Sequence, residues 1–161
     1  MMEIVYRAAN NSDAEGLIDL VTKCYEDYEG CILDVDAEEP QLRYIASFFA
    51  EQNGEFWVAE LNGKIIGSIG YTNTTDGFEL KHLYVDADIR RQGLATNLCD
   101  LVESSASKMN IENIKLWTDT RFHEAHLLYE KRGFAGKTLT RVLHDLSNTT
   151  EYYYEKALPV S

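Results

Sequence analysis

The chain is poor in cysteine and in positive charge and has no long apolar run, and each shortage removes a class of protein. Its three cysteines, Cys24, Cys31 and Cys99, are an odd number without metal-ligand spacing. With no leader they read as reduced thiols of a cytoplasmic protein, not a disulfide scaffold or a zinc site. No apolar stretch approaches the roughly 18–20 residues that span a bilayer. The start, MMEIVYRAANNSD, lacks a basic region followed by an apolar core, so no secretory signal is expected. Lys and Arg number 15 against 27 Asp and Glu, a formal net charge of −12. That balance disfavours nucleic acid and anionic membrane as partners. It suits a cationic small substrate, or serves solubility alone. The carboxylates show no calcium-loop spacing, so no metal is expected.

What remains is an ordinary globular composition, 45% hydrophobic and 26% charged, over 161 residues without repeat, low-complexity tract or linker. Residues 3–8 alternate as a first strand. Ser12 with Glu15 forms a capping box, and the helix that follows aligns Leu17, Leu20, Val21, Cys24 and Tyr28. Residues 25–40, YEDYEGCILDVDAEEP, read as an irregular acidic loop. Its carboxylates face a cation, and Tyr25 and Tyr28 wall a pocket or simply pack. A second helix is expected over 37–52, burying Leu42, Ile45, Phe48 and Phe49. Asn62-Gly63 and Asp76-Gly77 then separate apolar runs, predicting an antiparallel meander of strands 56–61, 64–73 and 78–85. A helix from Gly93 to about Met109 buries Leu94, Leu98, Leu101, Val102 and Met109 and leads to a strand over 114–119. That strand returns parallel to 78–85. A helix within 121–134 stops at Gly133-Phe134, and strands at 136–143 and 151–157 close the chain.

The chain is organised around 78–96, FELKHLYVDADIRRQGLAT. A strand runs through a turn carrying Arg90, Arg91 and Gly93 into the first turn of a helix. About four orphan N–H donors and the positive end of the helix dipole lie there. This arrangement holds a phosphate or pyrophosphate; the alternative is a solvated turn.

Two segments carry a resemblance. Arg90-Arg91-Gln92-Gly93-Leu94-Ala95 matches Arg/Gln-x-x-Gly-x-Gly/Ala, and Ala125-His126-Leu127-Leu128-Tyr129-Glu130-Lys131-Arg132-Gly133-Phe134 resembles Ala-x-x-Leu-Tyr-Glu-Lys-x-Gly-Phe. Both belong to the GCN5-related N-acetyltransferase (GNAT) superfamily, which the closing EYYYEKAL also resembles. The likeness covers nearly the whole chain and implies a single domain, 1–161, of small bacterial type. It implies an α/β (α+β) fold: a mixed, strongly twisted sheet of about seven strands with about four helices. The two parallel central strands splay apart and admit acetyl-CoA as co-substrate. Carried over, the backbone of Gln92, Gly93, Leu94, Ala95 and Thr96, with Arg90 and Arg91, holds the pyrophosphate. Leu83, Tyr84 and Val85 align the pantetheine arm, and Tyr129 lies near the sulfur. Phe122 stands where the family often has Asn, and Ala95 where the motif often ends in Gly. Members often form homodimers.

The implied reaction passes an acetyl group directly to a primary amine on a small cationic molecule. A protein or peptide amine, or a catalytically silent CoA-binding module, is the alternative. The amine must lose a proton, the oxyanion must be stabilised and the thiolate must leave. Glu79 is the first candidate base, although a carboxyl near 4.3 and an ammonium near 10 differ by about six units. His82 is its rival, with an imidazole near 6.5. Strict alternation puts Phe78, Leu80, His82 and Tyr84 on one face and Glu79, Lys81, Leu83 and Val85 on the other, so Glu79 and His82 share a pocket only across a bulge. Tyr129 hydrogen-bonds to or protonates the thiolate, and the N–H of Leu83 holds the oxyanion. His123 and His126 read as exposed or structural. Cys24 and Cys99 read as packing, and Cys31 is open. Specificity is assigned to 25–40, to Trp117–Thr120 and to the last hairpin.

Overall fold

The computed structural model describes residues 3–89 and 92–159. Seven strands form one sheet in the order β1-β2-β3-β4-β5-β7-β6. They are β1 (Val5–Ala8), β2 (Glu55–Leu61), β3 (Lys64–Thr74), β4 (Gly77–Val85), β5 (Asn113–Asp119), β6 (Ala135–Val142) and β7 (Thr150–Ala157). All neighbours are antiparallel except β4 and β5, which are parallel. Helices α1 (Ala14–Glu26), α2 (Val35–Glu38) and α3 (Ile45–Glu51) precede the meander; α4 (Leu94–Lys108) and α5 (His123–Lys131) follow it.

The helix expected over 37–52 is broken. Pro40 has no N–H to continue a helix and restricts the residue before it. Glu39 accordingly leaves the helical region, at φ −134° and ψ 47°, between α2 and a 3-10 turn at Pro40–Tyr44. Met109 is also exposed at 49%, not buried with Leu98 and Val102, because α4 ends one residue earlier.

Apolar side chains pack on both faces of the sheet. Leu17 and Leu20 of α1, Ile45 and Phe49 of α3 and Phe56 and Val58 of β2 form one core. Leu94, Leu98 and Val102 of α4 meet Phe78, Leu80, Ile114, Leu116, Tyr129 and Tyr154 in the other.

The feature that positions the site lies in the middle of β4. Ser68 of β3 pairs with Tyr84, and Gly70 with Lys81, so Ile69 stands opposite both His82 and Leu83. This is a bulge, which bends its strand and ends regular pairing. His82 adopts a left-handed φ of 57°, a conformation costing a non-glycine residue about 1–2 kcal/mol. The Ser68 hydroxyl donates to the His82 carbonyl at 2.7 Å. Gly70 gives the packing room: a Cβ there would lie 2.5 Å from the Phe56 ring and 2.9 Å from that of Phe49. Both rings pack at 6.0 Å against the His82 imidazole. On the far side, β4 pairs with β5 only at Phe78↔Ile114 and Glu79↔Lys115. Beyond Glu79 the two strands run on unpaired, and a wedge opens between them.

Ser68→Ala should lower stability by about 1 kcal/mol, because a buried carbonyl loses its donor. A urea unfolding curve with an unchanged midpoint would show that the bulge holds without this bond.

Candidate active site

Two connected hollows fill the wedge. The larger, about 860 Å³, is lined by Leu83, Tyr84 and Val85, by the 86–89 turn, by Leu94 and Ala95, and by Phe122 and Ala125. The smaller, about 340 Å³, continues from Leu83, Tyr84, Phe122 and Ala125 to Glu39, Glu79, His82 and Tyr129.

The larger hollow offers backbone donors at two places. Gly93 caps α4 at a φ of 67° and supplies no capping side chain. The first intrahelical bond runs from Asn97 N–H to Gly93 O at 2.9 Å. The N–H groups of Leu94, Ala95 and Thr96 lie ahead of it, at the positive end of the helix dipole. Gln92 and Thr96 are exposed beside them. The second place is the edge of β4 turned toward β5, where Leu83 and Val85 have no ladder partner on β5. Asp86 and Asp88 border the same hollow but are paired with Lys23, at 2.8 and 2.7 Å, and Asp86 also with Lys64 at 3.7 Å. Arg90 and Arg91, the expected phosphate cations, lie outside the described residues.

The bulge also settles which β4 side chains share a wall. Phe78, Leu80, Leu83 and Val85 turn to the α4 side. Glu79, Lys81, His82 and Tyr84 all border the smaller hollow. The alternation expected from the sequence is thereby corrected: the residue inserted at the bulge swings His82 into the pocket of Glu79. Glu79 lies 3.6 Å from the Lys81 ammonium. Burial pushes the His82 imidazole down to about 4, with Lys81 acting in the same direction, so it is neutral at neutral pH. Its Nε2 lies 3.9 Å from Oε2 of Glu39, whose carboxyl is raised by burial.

Tyr129 is buried at 4% exposure against Phe134 and Tyr154 and borders the smaller hollow. Burial raises its phenol far above its ordinary value, so it keeps its proton as a donor. Tyr25 and Tyr84 approach with their hydroxyls 3.4 Å apart, and Tyr28 packs on Phe122 at 4.8 Å between ring centres. Of the two α5 histidines, His126 is buried with Nε2 2.9 Å from the Asp119 carbonyl, and His123 is exposed. Cys24 contacts the Val85 carbonyl at 3.4 Å and Cys99 is buried among the α4 core residues. Burial raises both thiols, to about 11 and about 12, which suits packing and not nucleophilic work.

The acidic loop divides. Asp34 caps α2 through the Ala37 N–H, and Asp36 pairs with Arg43. Glu38 and Glu39 reach the smaller hollow. The sequence reading passed over Glu39 as one carboxylate among many; the proline after it was the signal. It also missed Arg141, which stacks over Trp117 at 4.3 Å and pairs with Glu151 at 2.7 Å. Among the described residues, no group of three or more His, Cys, Asp or Glu side chains is placed to hold a metal ion. None of their helices is long and apolar enough to cross a membrane.

With this geometry in view, the sequence pattern of the Acetyltransferase (GNAT) family matches residues 15–134, most of the chain. The chain belongs to the GNAT family. A probable N-acetyltransferase named camello, from Xenopus tropicalis, is 31% identical over 114 residues, 67% of this chain and 52% of that protein. The chain spans about half the length of the curated relatives it matches. A GNAT acetyltransferase from Staphylococcus aureus superposes with a TM-score of 0.82 at 27% identity, covering 98% of this chain and all of the other. A PaiA N-acetyltransferase from Thermoplasma acidophilum, solved in complex with coenzyme A, shares the GNAT fold with a TM-score of 0.72 at 19% identity, over 98% and 100% of the two chains.

The buried imidazole carries a pH signature. Its folded value of about 4 lies below an ordinary histidine near 6.5, so the unfolded chain binds the extra proton in between. This contribution to stability is complete above about pH 6.5 and is lost as the pH falls toward about 4. Histidine NMR should show the His82 ring neutral at pH 5.5; a midpoint near 6.5 would contradict its burial.

Proposed function

We propose that the whole chain, 1–161, is one acetyl-CoA-dependent N-acetyltransferase domain that acts by direct transfer on a primary amine of a small cationic molecule. The observation that carries this reading is the wedge. A freed strand edge beside an uncapped helix start leads straight into an acidic pocket. The residues present fit the co-substrate. Backbone N–H groups of Gln92, Gly93, Leu94, Ala95 and Thr96 take the pyrophosphate, with Arg90 and Arg91 supplying charge. Leu83, Tyr84 and Val85 align an amide-bearing arm as an added strand would lie. Acetyl-CoA supplies an activated acyl group as a thioester.

The smaller hollow receives the amine. Six carboxylates border it, Glu38, Glu39, Glu79, Asp119, Asp145 and Glu151, against Lys81 and Arg141. That imbalance favours a cation. The N–H of Leu83 holds the oxyanion in this reading. The Tyr129 phenol donates a hydrogen bond to the departing thiolate, whose conjugate acid is near 8.5. Two groups on the same wall can take the amine's proton, Glu79 and His82.

Thiol release from acetyl-CoA should be seen with polyamines and other cationic amines and be weak with anionic ones. Tight coenzyme A binding without turnover on any amine or peptide would favour a silent binding module. Gly93→Val should weaken coenzyme A binding at least about 10-fold, since a β-branched residue resists the left-handed conformation and crowds the phosphate turn. Calorimetry giving wild-type affinity would remove the pyrophosphate from this turn. Tyr129→Phe should lower kcat about 10- to 100-fold with little change in KM for acetyl-CoA. Wild-type turnover would reduce Tyr129 to a packing residue.

A further inference from the structure

We infer that His82, supported by the carboxylate of Glu39, is the group that takes the proton from the acceptor amine. This rests on the acetyl-transfer reading above and names the proton acceptor within it. The charged groups of the smaller hollow are mostly committed elsewhere. Glu79 pairs with Lys81, Glu151 with Arg141 and Asp119 with Arg121. Glu38 accepts from the Leu146 N–H, and Asp145 from the backbone and hydroxyl of Thr149. Glu39 receives a side-chain amide from Gln41. The His82 ring lies 3.9 Å from its Oε2, and the Lys81 ammonium acts on the carboxylate as well.

Position favours the same pair. Glu79 lies where β4 and β5 are still joined, at the closed end of the wedge. Four residues, the last of them beyond the left-handed His82, separate it from Leu83, a span of at most about 13 Å. His82 is adjacent to Leu83 in the chain, at the bulge itself. Glycine would adopt the φ of 57° without strain, yet an imidazole stands there, directed into the pocket. Strained non-glycine residues of this kind concentrate at functional sites.

The bound ammonium first gives a proton to solvent, and the nitrogen lone pair then forms a bond to the thioester carbonyl carbon. The resulting ammonium proton passes to a ring nitrogen of neutral His82. The carbon–sulfur bond breaks with its electron pair on sulfur, and the thiolate takes a hydrogen bond from Tyr129 and then a proton from solvent. His82 returns its proton to solvent. The products are the N-acetyl amine and free coenzyme A. Attachment to the carbonyl carbon makes the amine's proton far more acidic, so a weakly basic imidazole suffices. Glu39, 3.9 Å from Nε2, stabilises the imidazolium as it forms. Other titratable groups bordering the same hollow are Glu79, Lys81 and Tyr84 on the strand of His82 and Tyr25 from α1. Phe49 and Phe56 close the remaining side of the imidazole.

The test is steady-state kinetics on the full chain with an amine that the wild type acetylates. His82→Asn preserves the left-handed backbone and the polarity but cannot accept a proton. It should lower kcat about 100-fold at neutral pH with KM for acetyl-CoA unchanged. The deficit should persist as the pH nears the amine's own pKa, near 10, because His82 acts after the neutral amine has attacked. His82→Ala should be partly rescued by added imidazole, which a merely structural defect would not show. Glu39→Gln should lower kcat less, about 10-fold, again without change in acetyl-CoA KM. Wild-type kcat in His82→Asn, or turnover that collapses in Glu79→Gln while persisting in His82→Asn, would overturn the assignment. A wild-type protein silent on the whole amine panel would instead overturn the acetyl-transfer reading beneath it.

Discussion

The bulge in β4 is the constraint on which the site depends. Two residues, His82 and Leu83, stand where a regular ladder has room for one. The strand bends at this point, and beyond Glu79 its backbone has no ladder partner on β5. The same insertion brings His82 and Tyr84 to the face of Glu79 and Lys81, and Leu83 and Val85 to that of Phe78 and Leu80. Without it the polar side chains would lie on opposite walls. Its cost is met locally by the Ser68 hydroxyl, by the absence of a side chain at Gly70 and by Phe49 and Phe56 packed on the imidazole.

Around this bend the chain is arranged in ordinary ways. α4 packs its apolar stripe under the wedge and points its first turn into it. α5 brings Tyr129 beneath the same opening and is tied to α4 by Arg132, which pairs with Asp100 at 2.8 Å and Glu103 at 2.6 Å. The division of labour follows from these placements. One end of the wedge presents backbone donors, and the other presents carboxylates, a neutral imidazole and a buried phenol.

Much of this architecture is legible in the sequence where the code is local. Asn62 and Gly63 both take left-handed angles, φ 52° and 81°, as an Asn-Gly hairpin turn requires. The three strands of the meander then fall within a residue of their expected bounds. The glycine that caps α4 and the apolar stripe behind it are local signals too. The bulge is not local. It is a property of how β3 pairs with β4, and alternation along β4 alone assigns His82 to the wrong face. Glu39 escaped for a different reason. Helical periodicity runs smoothly across Pro40, and only the backbone restriction imposed by that proline lifts Glu39 out of the helix toward the imidazole. Arg141 and Trp117 meet across strands that are distant in sequence, so no pattern within either strand announces them.

The central claim is that the wedge between β4 and β5 receives coenzyme A. A crystal structure of the protein with coenzyme A tests it most directly. The account predicts phosphates on the N–H groups of residues 92–96, and an arm running between β4 and β5 with its amides paired to the backbone of Leu83 and Val85. A coenzyme seated outside the wedge, or β4 and β5 zipped together beyond Glu79, would contradict it.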